Sequence, residues 1–171
     1  MKLLQLFISA LFITYCTSVT AIEQTSNARQ DEVARLGQQV MPFNLEQTLH
    51  IFSKTEAGGL QQVIVKQSAN DFQITLIRKH LRKISEEFKQ GNFADPARIH
   101  GQDMPGLTTL QNAKLGAISI QYRELADGAE ITYTTDSPAL INAIHLWFDA
   151  QLNDHARHAT MHRSHHMKHN K

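Results

Sequence analysis

One pattern constrains this chain more than any other, and it occurs twice. Two short β-prone stretches surround a tight turn, and a capped amphipathic helix follows. In the first half, residues 47–55 and 60–66 flank an Ala57-Gly58-Gly59 turn. Val63, Ile64 and Val65 are β-branched, so they suit a pleated, half-buried surface. Asn70 or Asp71 can cap a helix running to about residue 90, since a short polar side chain satisfies the first free N–H groups. Ile74, Ile77, Leu81, Ile84 and Phe88 recur at steps of three and four, which is one apolar helix face. Gly91 stands where that helix must stop.

The second half repeats the plan. Ile118, Ile120 and Tyr122 alternate with Ser119, Gln121 and Arg123, and Asp127-Gly128 supplies the turn. Residues 129–135 return with Ile131 and Tyr133 on one face. Ser137 suits an N-cap and Pro138 the first helical position, ahead of Ile141, Ile144, Phe148 and Leu152. Between the halves, residues 92–116 read as loop, with a short helix over 107–112.

Two ββα units of this kind predict an α+β domain. Their hairpins pair into one antiparallel sheet, and both helices pack on one face. The likeness of the halves suggests an internal duplication, although two ordinary ββα units can also resemble each other by chance. His80 and His145 sit at matching helical depth, so a pseudo-twofold axis would bring them face to face.

The N-terminus carries Lys2, then an apolar stretch from Leu3 through Tyr15, then Val19-Thr20-Ala21, with no acidic residue before Glu23. That is the order of a secretory signal cleaved after Ala21. It predicts a periplasmic or secreted protein without a stable membrane span after processing. A short uncleaved anchor is the alternative. An acylated Cys16 fits poorly behind bulky Tyr15. Cys16 is the chain's single cysteine and would leave with the signal, which removes thiolate chemistry and Cys-type zinc sites from consideration. The 17 basic and 16 acidic residues nearly cancel, so the chain is no nucleic-acid binder. The domain plan is then a signal at 1–21, a mobile leader or loosely docked helix at 22–41, the α+β domain at 42–158 and a His-rich tail at 159–171.

Histidine carries the chemistry. His155, His158, His162, His165, His166 and His169 crowd the C-terminus beside Met161 and Met167. Neutral imidazole suits copper, zinc and nickel, and a thioether adds a preference for Cu(I). Steps of three and four would align 155, 158, 162, 165 and 169 if the last helix continued. His80, His145 and the loop cluster of His100, Asp103 and Met104 are further candidate ligands. His50 falls out of step with Leu49 and Ile51, and points either at the helices or at solvent.

Several stretches carry a resemblance: Met-Pro-Phe-Asn-Leu, Thr-Leu-His-Ile-Phe, Gly-Gly-Leu-Gln, Ile-Arg-Lys-His-Leu, Ile-His-Gly-Gln-Asp-Met-Pro-Gly-Leu, Asp-Gly-Ala-Glu-Ile-Thr-Tyr-Thr-Thr and Ala-Ile-His-Leu-Trp-Phe-Asp-Ala-Gln-Leu-Asn-Asp-His. From Met41 to His158 the chain resembles a family of small exported bacterial proteins that goes by the name aspartate carbamoyltransferase. The resemblance implies export. It places His50, His80, His100, Met104, His145, His155 and His158 inside the shared segment and leaves His162 onward outside it. The chain has no Ser-Thr-Arg-Thr phosphate loop and no His-Pro-x-Gln segment, so no catalytic residue of that reaction carries over.

These readings converge on an exported metal-binding protein, a buffer or carrier for copper, zinc or nickel. The candidate metal ligands are His80, His100, Met104, His145, His155, His158, His162, His165, His166 and His169. Two alternatives stand beside it. One is a small-ligand or protein-binding module with a pocket wall at Met104. The other is an enzyme using His100 with Asp103, or His155 with Asp154, as an acid–base pair.

Overall fold

The computed structural model describes residues 18–67, 69–155 and 158–161, with side chains from residue 27 onward. In chain order the elements are α1 (Ser18–Val40), a 3-10 turn (Leu45–Gln47), β1 (Thr48–Thr55), β2 (Gly58–Val65), α2 (Asp71–Lys89), α3 (Ala94–His100), α4 (Leu107–Gln111), β3 (Ser119–Leu125), β4 (Gly128–Thr134), α5 (Pro138–His155) and β5 (Ala159–Thr160). The α+β class and both hairpins are as expected. Asn70 caps α2, its side chain accepting from the Gln73 backbone N–H at 3.3 Å.

The five strands form one open sheet in the order β3-β4-β2-β1-β5. The two hairpins meet through β2 and β4, which run antiparallel. Their register is symmetric: Gly58 faces Thr134, Gln61 faces Ile131 and Ile64 faces Gly128. The pairing therefore reads the same from either strand, with its centre at Gln61–Ile131. Gly58 and Gly128 open the second strands of their hairpins and are counterparts. A Cβ on Gly58 would meet the Tyr133 carbonyl oxygen at 2.3 Å, and one on Gly128 would meet that of Val63 at 1.9 Å. Only glycine lets the two backbones approach so closely.

Helices α2 and α5 lie on one face of the sheet. Tyr133 of β4 touches Phe88 of α2 as well as Trp147 and Phe148 of α5. The helices are exchanged between halves: α2 packs on β3 and β4, whereas α5 packs on β1 and β2. Trp147 is wholly buried at the centre, with the rings of Phe88, Phe93, Tyr133 and Phe148 at 5.6–5.8 Å. The Tyr133 hydroxyl donates to Gln61 Oε1 at 2.7 Å, which satisfies both groups in the interior.

Four expectations need correction. The sheet is not wholly antiparallel, because β5 runs parallel to β1, with the His50 N–H bonded to the His158 carbonyl at 2.8 Å. The chain returning from α5 thereby pairs part of β1's open edge, so the domain continues into the first residues assigned to the tail. Residues 94–100 form a helix rather than loop; Asp95-Pro96 suggests a turn, but proline is tolerated in a first helical turn. The segment assigned as leader is a docked helix, with Val33 fully buried and α1 packed on α3 and α5. Finally, α5 ends at His155 and His158 lies in the turn before β5, so the helix does not carry on from His155 to His158. The signal up to residue 17, and His162, His165, His166 and His169, lie outside the described residues. Among the described residues no helix is long and apolar enough to cross a membrane.

Candidate functional site

The elements around α5 gather histidines from four separate stretches. On β1 the side chains of Thr48, His50 and Phe52 share the helix-facing side, and all are buried. His80 points inward from the buried face of α2, His100 ends α3, and His155 ends α5. All four line one cavity of about 40 Å³. Its other walls include Met41, Gln61, Asp95, Trp147 and Gln151, together with aliphatic side chains of the core.

The rings are close. His50 and His155 lie parallel to within 1°, with centres 5.1 Å apart. His100 meets His155 edge-on at 4.8 Å. His80 stands further out, its ring 5.6 Å from Phe43, which also touches His50 at 5.8 Å. His158, also buried, holds His50 through its backbone and Glu46 through Nε2 at 3.3 Å.

His100 is oriented from behind. Its Nδ1 lies 2.7 Å from Asp154 Oδ2. Asp154 is itself clamped by Arg29 of α1, at 2.6 and 3.2 Å, and the same guanidinium donates to the His100 carbonyl at 2.7 Å. Burial pushes the Asp154 carboxyl up, but the hydrogen bonds from His100 and Arg29 outweigh it and hold the group at about 2. An ionised carboxylate can only accept, so Nδ1 carries the proton. In the neutral ring Nε2 then keeps its lone pair.

Burial also keeps most of the cluster neutral. It lowers His50 to about 3, helped by the nearby His80, His158 and His100 rings and opposed by the His158 backbone. Burial lowers His80 to about 4, with Lys83 adding to the effect and Asp95 opposing it. His155 is pushed well below its ordinary value by burial, then by His50 and His100. Removing water from an imidazole disfavours its charged form. Nδ1 of His50 and Nε1 of Trp147 are buried with no hydrogen-bond partner among the described residues.

The expected ligands therefore divide. His100 and His155 come together, His80 lines the same cavity, and His158 borders His50. His145 does not join them: its Nε2 donates to the carbonyls of Thr55 and Gly58 at 3.0 and 2.8 Å, closing the first hairpin's turn. Its counterpart is Arg78 rather than His80, because Arg78 donates to the carbonyls of Leu125 and Gly128 in the second turn. Met104 is buried and lines not this cavity but a second, open cleft of about 410 Å³, which shares His100 with it and includes Arg29, Asp103 and Asp154. The acid–base pairs read from sequence do not form as expected, since His100 pairs with Asp154 instead of Asp103.

Three contributors escape a reading based on neighbouring residues: Met41, Arg29 and Asp154 as the partner of His100. His50 could have been placed by its two-residue step to Phe52, which puts it on the core side of β1. Among the described residues, no three His, Cys, Asp or Glu side chains are grouped so that they could hold a metal ion. No family model, curated protein or solved structure matches this chain.

Proposed function

We propose that this chain is an exported metal-binding protein, a buffer or carrier for a soft or borderline ion, with its folded site at His50, His100 and His155. One observation carries the reading: three imidazoles from separate elements meet around one small cavity, one of them aligned by a carboxylate. Two imidazoles on one tetrahedral ion, with metal–nitrogen bonds of about 2.0–2.1 Å, hold their ring centres roughly 5 Å apart. The two ring separations here are 5.1 and 4.8 Å. Rotation of the side chains about χ would still be needed to aim their nitrogens at one point.

Two further facts support it. Buried neutral imidazoles do not have to lose a proton to bind. The His100–Asp154 bond is the support that a metal-binding histidine usually has on its other nitrogen. Size also separates ion from organic ligand. A cavity of about 40 Å³ is far below the roughly 300–1,000 Å³ of typical small-molecule sites.

The test uses the full chain with His162, His165, His166 and His169 changed to Asn, so that the tail does not contribute. It is titrated with Cu(II), Zn(II), Ni(II) and Ag(I) against a competing chelator. One ion per chain is expected for at least one of these metals, lost in the His50→Gln/His155→Gln double variant. Binding that disappears with the tail histidines overturns the folded site.

The open cleft by Met104 favours a second reading, a small-ligand module. An organic molecule co-purifying with the metal-free chain, and displaced by Asp103→Ala or Met104→Ala, would support that reading.

A further inference from the structure

We infer that the ion held by this site is monovalent and soft, Cu(I) by its chemistry, with the Met41 thioether as an additional donor. The inference rests on the metal reading above and names the class of ion.

Charge is the first argument. Apart from Asp95, the donor-bearing side chains that line the cavity carry no fixed charge: four imidazoles, the amides of Gln61 and Gln151, and the thioether of Met41. The one carboxylate among its walls, Asp95, is paired at 3.0 Å with Lys83, which Glu87 also holds at 3.0 Å. The carboxylate behind His100, Asp154, is paired with Arg29 at 2.6 Å. Both carboxylates are thus already held by a cation, so neither is on hand as a charged ligand to an incoming ion. The cost of moving an ion from water into a poorly polarisable interior grows with the square of its charge. A divalent ion would therefore meet about four times the penalty of a monovalent one of similar size.

Donor softness is the second argument. Met41 is buried and lines the same cavity as the four imidazoles. Thioether and imidazole together suit Cu(I), whereas carboxylates and waters suit hard ions. His50 Nδ1, buried without a hydrogen-bond partner among the described residues, supplies a lone pair or a proton that they leave unused.

The test again uses the full chain with the four tail histidines changed to Asn, and with Cys16→Ser to remove its thiol. Affinities are measured for Ag(I), for Cu(I) kept reduced under ascorbate without oxygen, and for Zn(II). Ag(I) and Cu(I) are expected to bind at least about 100-fold more tightly than Zn(II). Met41→Leu, which conserves volume, should weaken Ag(I) binding by about tenfold or more and leave Zn(II) unchanged. In the unsubstituted Met41 background, one equivalent of Ag(I) should move the Met41 methyl resonance. Zn(II) binding as tight as Ag(I), or a Met41 methyl that stays still at full Ag(I) occupancy, overturns this inference and leaves the metal reading standing. Binding of none of these ions overturns both.

Discussion

His100 and Asp154 stand 54 residues apart in the chain and meet at 2.7 Å, with Arg29 closing the carboxylate from its other side. The carboxylate sets Nδ1 of His100 as the protonated nitrogen, which leaves the lone pair of the neutral ring on Nε2. Asp154→Asn keeps the shape and removes the charge. Ion affinity should fall about 10–100-fold, as is typical when the supporting partner of a ligand is lost. Chelator competition measures it. Unchanged affinity would mean that the pair serves only to dock α1.

His145 gives the opposite prediction. It serves the first turn, as Arg78 serves the second. His145→Ala should destabilise the chain by about 1–2 kcal/mol, the worth of its hydrogen bonds to those carbonyls. Denaturant unfolding reads this directly. Ion binding should be unaffected, and a loss of binding would place His145 in the site after all.

The ion-free protein should be acid-sensitive well above the carboxylate range. His50 at about 3 and His80 at about 4 in the folded chain lie below their ordinary 6.5, and His155 is lowered too. The unfolded chain thus binds more protons between those values and 6.5. Stability is fully present above about pH 6.5 and falls as the pH drops toward 3–4, by up to roughly 1.4 kcal/mol per pH unit for each ring. The charged or titratable groups that act on these rings are His80, His158 and His100 on His50, then His50, His100, Asp154 and His158 on His155, and Lys83 and Asp95 on His80. Asp154, lowered from 3.8 to about 2, adds sensitivity only below about pH 4. Urea midpoints at pH 7.5, 6 and 5 should decline in order. A midpoint constant over that range would contradict buried neutral rings.

Gly128→Ala should destabilise by at least about 1–3 kcal/mol, because the new methyl meets the Val63 carbonyl oxygen at 1.9 Å and backbone cannot yield as a side chain can. Gly101→Ala is the contrast. A Cβ there meets nothing within 4 Å, so its cost comes only from the positive φ. Comparing the two unfolding curves separates overlap between strands from backbone strain.

The local signals in the sequence were strong where they had a period or a cap. Alternation around Asp127-Gly128 marks the second hairpin, and the three-and-four steps from Ile74 to Phe88 mark α2, because each depends on one element burying one face. The site was legible only as a set of residue types. Its assembly depends on β5 returning along β1 and on α5 crossing to the other half's hairpin, and both are long-range pairings. Matching His80 to His145 failed for a related reason: the counterpart of His145 is the residue that reaches the other turn, Arg78, and that becomes visible only once the helices are exchanged. Met41 and Arg29 lie before the domain as read from sequence or at its very edge. Their part appears only when α1 docks on α3 and α5.

The most direct test of the shared site is imidazole nitrogen NMR on the full chain with its four tail histidines changed to Asn and Cys16 to Ser, recorded while Ag(I) and, separately, Zn(II) are added. The account predicts that the ring nitrogens of His50, His100 and His155 move together with at least one of these ions and stop at one equivalent. Rings that shift independently, or that stay still while the ion binds elsewhere or not at all, would contradict it.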